Sequence, residues 1–215
     1  ANLYCVNAEK CRPQIVARIT HYCSKNACDI EGISEKTVTQ LVDKLSVQSV
    51  ADLYELTESD LAELDGFKDK KIDNFITSVK KSVDVPLTKF IFALGLDNVG
   101  TVTAKDLASR FGSVDGLKNA TKEQLTQIDG VGDVVAEGIV QYFSESQNLD
   151  IISRLKTLGI DPQYHVQKAE GVFVGKKVVL TGSLDGYKRS EAAQLIEQRG
   201  GEIASSVSKS VNLVV

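Results

Sequence analysis

The sequence predicts a mainly α protein followed by a small, truncated α/β domain. Three observations carry this. A loop-like stretch recurs four times at near-equal spacing. The residues on either side of those loops are apolar at helical intervals. From Lys176 onward the pattern changes to short apolar runs that read as strands around one helix.

The repeat is plainest at residues 128–136, IDGVGDVVA. Its relatives are IEGISEKTV (30–38), LDGFKDKKI (64–72) and LDNVGTVTA (96–104), spaced by 34, 32 and 32 residues. Each copy opens on an aliphatic residue (Ile30, Leu64, Leu96, Ile128) and an acid (Glu31, Asp65, Asp97, Asp129). A Gly or Asn follows (Gly32, Gly66, Asn98, Gly130), then an apolar residue (Ile33, Phe67, Val99, Val131). Ser34, Lys68, Gly100 and Gly132 come next, and a small or apolar residue (Val38, Ile72, Ala104, Ala136) stands four further on.

Short amphipathic runs precede three of the loops: TESDLAELD (57–65), LTKFIFALGLD (87–97) and TKEQLTQID (121–129). Thr57 and Thr121 are good N-caps, with Asp60 and Gln124 three residues on. After the fourth loop Val131, Val134, Val135 and Ile139 fall at helical spacing. Each unit therefore reads as helix, tight loop, helix, with Gly or Asn supplying the positive φ of the turn. Helix-pair packing in a solenoid is the plainer alternative. Against it, a packing repeat specifies its faces and leaves its turns free, whereas here the turn is the most repeated part.

A loop that enters a helix N-terminus points several backbone N–H groups one way, with the positive end of the helix dipole behind them. That is an anion site. It suits a backbone phosphate and reads no bases. Lys36, Lys68, Lys70, Lys71 and Lys105 lie in or just after the first three loops and would add charge, or else lie on solvated helix faces. The fourth loop has no nearby lysine in sequence and carries Asp133, so its contribution must come from backbone. A dinucleotide reading of G-V-G fails: helix, not strand, precedes it, and Val135 stands where a third glycine is needed. The TGSL stretch (181–184) lacks a P-loop signature.

The bulk numbers are those of an ordinary globular chain: 215 residues, 42% hydrophobic and 25% charged. No apolar run is long enough to span a membrane, and the first ten residues lack a signal-peptide pattern. The chain has no Met and stops in what reads as a strand, so a fragment of something longer is expected. Net charge is −4: residues 166–215 carry seven basic against five acidic residues, and residues 83–165 seven against eleven. That balance argues against a basic-patch binder, not against one whose donors are backbone amides.

The four units resemble helix-hairpin-helix motifs, which grip DNA backbones without sequence preference. Four in tandem resemble the helix-hairpin-helix domain of bacterial NAD+-dependent DNA ligases. The resemblance implies DNA contacts at Gly32, Ile33, Ser34 and Lys36; Gly66, Phe67, Lys68 and Lys70; Asn98, Val99, Gly100 and Lys105; and Gly130, Val131 and Gly132. In that family a four-cysteine zinc site precedes the hairpins and ends in C-x5-C. Cys5 and Cys11 resemble its last two ligands, so the site is only half present here. A rival set uses the local four, Cys5, Cys11, Cys23 and Cys28. Cys23 and Cys28, in a stretch the resemblance places as helix, also read as buried small residues. His21 and His165 lie in no evident motif and take structural or surface roles by default. His21, after Arg12 and Arg18, has a slight case for lying near DNA.

Beyond a Pro- and Gly-containing linker (161–175), KKVVLTGSL, YKRSEAAQLIEQRGG, EIASSV and VNLVV give strand, helix, strand, strand. This is similar to the beginning of a BRCT domain, which implies phosphate ligands at Thr181, Gly182 and Lys209, with a phosphate-indifferent packing module as the equal alternative. The expected divisions are 1–28 (partial zinc segment and lead-in helix), 29–160 (hairpins), 161–175 (linker) and 176–215 (BRCT-like). The family's adenylation motif K-x-D-G is absent, because Glu63, Ser113, Gln127 and Ser183 hold the lysine position before the four Asp-Gly pairs. The expected role is a clamp on nicked double-stranded DNA in replication and repair, monomeric and cytoplasmic, and inactive as a ligase alone. NAD+ and Mg2+ would serve a catalytic domain outside this chain, and zinc the parent enzyme. A hairpin scaffold of another repair protein, a nuclease or helicase subunit, is the alternative within DNA binding, and a helical protein-interaction module the alternative outside it.

Overall fold

Among the described residues, eleven α-helices and three short strands follow one another in a computed structural model. It describes residues 11–164, 171–182, 186, 189–204, 207 and 211–215. The chain divides into two compact units, 1–164 and 165–215.

The first unit opens with α1 (Arg12–Cys23), which has Pro13 in its first turn, where its missing N–H costs no helix bond. Next come α2 (Glu35–Leu45), α3 (Glu58–Ala62) and α4 (Asp69–Lys81). Then follow α5 (Leu87–Ala93), α6 (Thr101–Phe111), α7 (Val114–Lys118) and α8 (Lys122–Leu125). The unit closes with α9 (Asp133–Ser144) and α10 (Ser146–Thr157). Two 3-10 turns, Ala51–Tyr54 and Ser82–Asp84, join the helices. Thr57 and Thr121 cap α3 and α8 as expected, and with Asp60 and Gln124 each forms a full capping box.

One aliphatic core runs through the unit. The residues that recur in the repeat form it: Ile30, Leu64, Leu96 and Ile128 before the turns, and Val38, Ile72, Ala104 and Ala136 in the helices after them, are all buried. Burial of this kind, at about 25 cal/mol per Å² of apolar surface, fixes the helix pairs. A polar brace ties three elements together. Ser82 Oγ donates to Val79 O at 2.8 Å, so the Tyr54 hydroxyl donates to Ser82 Oγ at 2.9 Å. The Tyr22 hydroxyl in turn donates to Tyr54 at 3.0 Å.

The first repeat departs from expectation. α1 ends at Cys23, and residues 24–28 form turns rather than a helix running into the first loop. Ala27 N bonds Ser24 O, and Asp29 takes a positive φ of 53°. So only three of the loops have a helix just before them. At the other end, Gln163 bridges to Ser113, and Tyr164 N donates to Gly112 O at 2.7 Å. The chain thus stays packed on the helical unit through Tyr164.

In the second unit β1 (Lys177–Val179) is central, and α11 (Arg189–Gln198) follows it. β2 (Glu202–Ile203) and β3 (Leu213–Val214) pair parallel with β1 on its two sides. The register sets Val178 against Ile203 on one side and against Leu213 on the other. α11 closes at Gly200, with φ of 83°, and Gly201 N bonds Ile196 O at 2.9 Å. A side chain at Gly201 would collide with Ile196 and Phe173, so this glycine is demanded by packing.

Candidate nucleic-acid interface

The four loops share one geometry. In three of them the residue before the acid accepts from the apolar residue three later: Phe67 N to Leu64 O at 3.2 Å, Val99 N to Leu96 O at 3.1 Å, Val131 N to Ile128 O at 3.0 Å. The third residue of each turn has positive φ: 77° at Gly66, 61° at Asn98, 79° at Gly130. Gly32, at 78°, takes the same place in the first copy. That is the type II turn, which wants Gly or Asn there.

The turn hands the chain directly into a helix. Ser34, Lys68, Gly100 and Gly132 are the N-caps of α2, α4, α6 and α9, all extended. Ser34 Oγ accepts from Thr37 N at 3.2 Å. At the other three caps no side chain covers the first-turn amides. These are helix ends with orphan donors and a positive dipole.

Gly100 and Gly132 are informative because the fold does not need them. Their φ values, −83° and −82°, suit any residue, and a side chain at either would meet nothing within 4 Å. Gly116 is the contrast, since a Cβ there would collide with Phe111 O. Glycine is a fair N-cap in its own right. At these two places it also leaves bare backbone that an outside group can approach closely.

The first two loops brace each other. Glu31 N donates to Ser78 Oγ, on α4, at 2.6 Å. In return Gln40, on α2, accepts from Asp65 N at 2.8 Å, and Lys44 reaches the Asp65 carboxylate at 2.9 Å. Lys44, with a smaller contribution from Lys36, holds the Asp65 carboxyl below its ordinary range. So each loop is fixed by the helix that follows the other. Among the described residues Lys36, Lys68, Lys70 and Lys105 form no ion pair, which leaves their ammonium groups available. Lys71 instead sits over the Phe67 ring, 3.9 Å from its centroid.

The fourth loop differs from the sequence reading, which gave it no lysine. Lys122, on α8, lies 3.5 Å from the Asp133 carboxylate and 3.6 Å from that of Glu137. A cation eleven residues upstream therefore faces the first turn of α9. Only the through-space hairpin shows it; no local spacing does. His21 is likewise placed by the fold: its Nε2 lies 2.7 Å from Phe92 O, and its ring packs against that of Phe92 at a tilt, with centroids 4.8 Å apart. This tie between α1 and α5 is structural. Arg12 is committed to Asp43 by two contacts, at 2.5 and 2.6 Å.

Zinc does not fit the local cysteines. Cys11 is the N-cap of α1 and Cys23 its last residue. Twelve steps of helix put them about 18 Å apart, too far to share one tetrahedral ion. Cys23 and Cys28 are free and buried in the core. Burial raises both thiols, Cys28 to about 12, which opposes the thiolate a metal needs. Among the described residues no three His, Cys, Asp or Glu side chains gather. Cys5 lies outside the described residues.

In the second unit Thr181 N donates to Val215 O at 2.6 Å, so that amide serves the sheet. Gly182 has φ of 71°, and its carbonyl accepts from Arg189 at 3.2 Å. The fold thus brings Arg189 to this turn, a cation absent from the motif-based set. Lys209 lies outside the described residues.

Tandem helix, tight turn, helix units whose second helices mostly start without a side-chain cap, followed by a parallel three-stranded sheet, define the class. Residues 25–81 match the family described as "SAM-like Helix-hairpin-helix tandem", residues 89–152 "Helix-hairpin-helix motif", and residues 168–215 "BRCA1 C Terminus (BRCT) domain". The chain is 40% identical over all 215 residues to a DNA ligase of Clostridium perfringens strain 13, covering 32% of that protein. It is 41% identical over 213 residues, 99% of its length, to a DNA ligase of Clostridium botulinum strain Kyoto, covering 32%. It is 40% identical over its full length to one of Alkaliphilus metalliredigens, covering 33%. In content and order the chain matches the C-terminal part of a bacterial DNA ligase, and it spans about a third of the length of these curated relatives. No helix among the described residues is long and apolar enough to cross a membrane.

Proposed function

We propose that the chain is the DNA-backbone clamp of an NAD+-dependent DNA ligase, holding nicked duplex for a catalytic domain elsewhere in the parent. The observation that carries this is the fourfold loop: positive-φ turn, extended N-cap, helix, repeated with uncapped amides at α4, α6 and α9. Amide donors grip phosphates and are indifferent to sequence. The ammonium groups of Lys36, Lys68, Lys70 and Lys105 add charge around them, and Lys122 offsets the Asp133 carboxylate at the fourth tip. The likeness to DNA ligases favours this reading over a nuclease or helicase scaffold.

A rigid grip on both sides of a break lets the reacting ends behave as if tethered, which is where clamping serves catalysis. The chain itself supplies no nucleophile, since no K-x-D-G occurs in it. The parent's setting would be replication and repair in the cytoplasm, the protein acting as a monomer. The terminal sheet would add a weaker phosphate or protein contact around Thr181, Gly182 and Arg189. A gel shift of the 215-residue chain with nicked and intact duplexes tests the reading. Binding to nicked duplex at low salt, at equal affinity for unrelated sequences, is expected. Absence of binding would leave a protein-interaction module.

A further inference from the structure

We infer that Val102 and Val134 are sugar-contact residues, placed to rest on the deoxyribose between two bound phosphates. The inference rests on the reading of the hairpins as DNA-backbone grips. Val102 is 74% exposed and Val134 77%, the two most exposed large apolar side chains among the described residues of the helical unit. Each is the second residue of its helix, two positions after an N-cap glycine with open space over it.

Nothing inside the fold asks for valine there. Of the other apolar residues of these two copies, Leu96, Val99, Ala104, Ile128, Val131 and Ala136 are buried, and Val135 packs partly buried against the core. A β-branched residue on a solvated helix is a mild cost in propensity. In the first two copies the same place holds Lys36 and Lys70. The four tips are therefore of two kinds, two with a cation at this place and two with a rigid apolar group.

The chemistry beside a seated phosphate explains the apolar kind. A sugar adjoins every backbone phosphate and presents C–H groups. Bare amides at Gly100 and Gly132 bring the phosphate close, and the neighbouring sugar then meets the residue next to those amides. Lysine at that place adds an ionic contact. Valine instead covers apolar sugar surface and releases no counterion. Tips three and four would thus hold the strand by a component that salt does not screen.

The test uses the 215-residue chain and a nicked duplex over a range of salt concentrations. Val102→Ser with Val134→Ser should weaken binding about tenfold, the equivalent of ~1.4 kcal/mol, with the log–log salt slope unchanged. Val102→Lys with Val134→Lys should steepen the slope by about 0.9 for each phosphate newly neutralised. Thermal melting should stay at the parent's temperature, because both side chains lie in solvent. Unchanged affinity in the serine pair overturns the inference, and is the result expected if these valines face another protein segment. A flatter slope in the serine pair overturns it too, because the lost contact was then ionic. If the unaltered chain shows no salt-sensitive binding, the backbone-grip reading fails first and this inference goes with it.

Discussion

Single residues divide into those the fold needs and those it leaves free. Gly130 sits at φ 79° in its turn, whereas Gly132 sits at −82° with open space around it. Gly130→Val should destabilise the protein by ~1–2 kcal/mol through left-handed strain, seen as a lower melting temperature. Gly132→Val should melt like the parent yet bind nicked duplex at least about tenfold more weakly, because the side chain fills the space a phosphate would use. Equal DNA affinity in the Gly132 variant would make the fourth loop a plain turn. The buried thiols give a second residue-scale prediction. An alkylating agent at pH 8 should leave Cys23 and Cys28 unmodified in the folded protein, as read by mass spectrometry of their peptides. Folding raises their pKa values, so the stability they contribute is full at neutral pH. It is lost as pH climbs from about 9, where the unfolded thiols ionise, toward 12.

Among the elements, the hairpins were legible because their turns need particular residues. A positive φ selects Gly or Asn, so Gly32, Gly66, Asn98 and Gly130 stood out as one recurring position of the internal repeat. The capping boxes at Thr57 and Thr121 were legible for the same local reason. The lead-in to the first loop was not. Residues 24–28 turn because Ala27, Cys28 and Ile30 bury their side chains in the shared core, and no local spacing encodes that. Lys122 was missed because its approach to Asp133 exists only once the hairpin folds. Lys122→Ala should weaken DNA binding, and the Asp133→Asn change should restore part of the loss if the lysine's task is to offset that carboxylate. A competition titration of the single and double variants reads this directly. The polar brace makes a separate prediction. Tyr54→Phe leaves the Tyr22 and Ser82 hydroxyls short of a partner and should cost about 1–3 kcal/mol in chemical denaturation.

For the whole molecule, a net charge of −4 and a role on DNA look opposed. They are reconciled if the grip is made by backbone donors at helix ends, with lysines near the tips and tip carboxylates such as Asp65 and Asp133 offset by Lys44 and Lys122. The rival four-cysteine zinc set shows the limit of reading spacing alone: Cys11 and Cys23 are close enough in sequence to suggest one site, but α1 separates them by its full length. The most direct measurement is the salt dependence of nicked-duplex binding by the 215-residue chain and by a Gly100→Val, Gly132→Val variant. The account predicts a linear fall of log affinity with log salt for the parent, with a slope of about −0.9 per phosphate neutralised. It predicts a weaker, shallower line for the folded variant. A parent affinity that salt does not change, or a variant line that overlays the parent's, would contradict it.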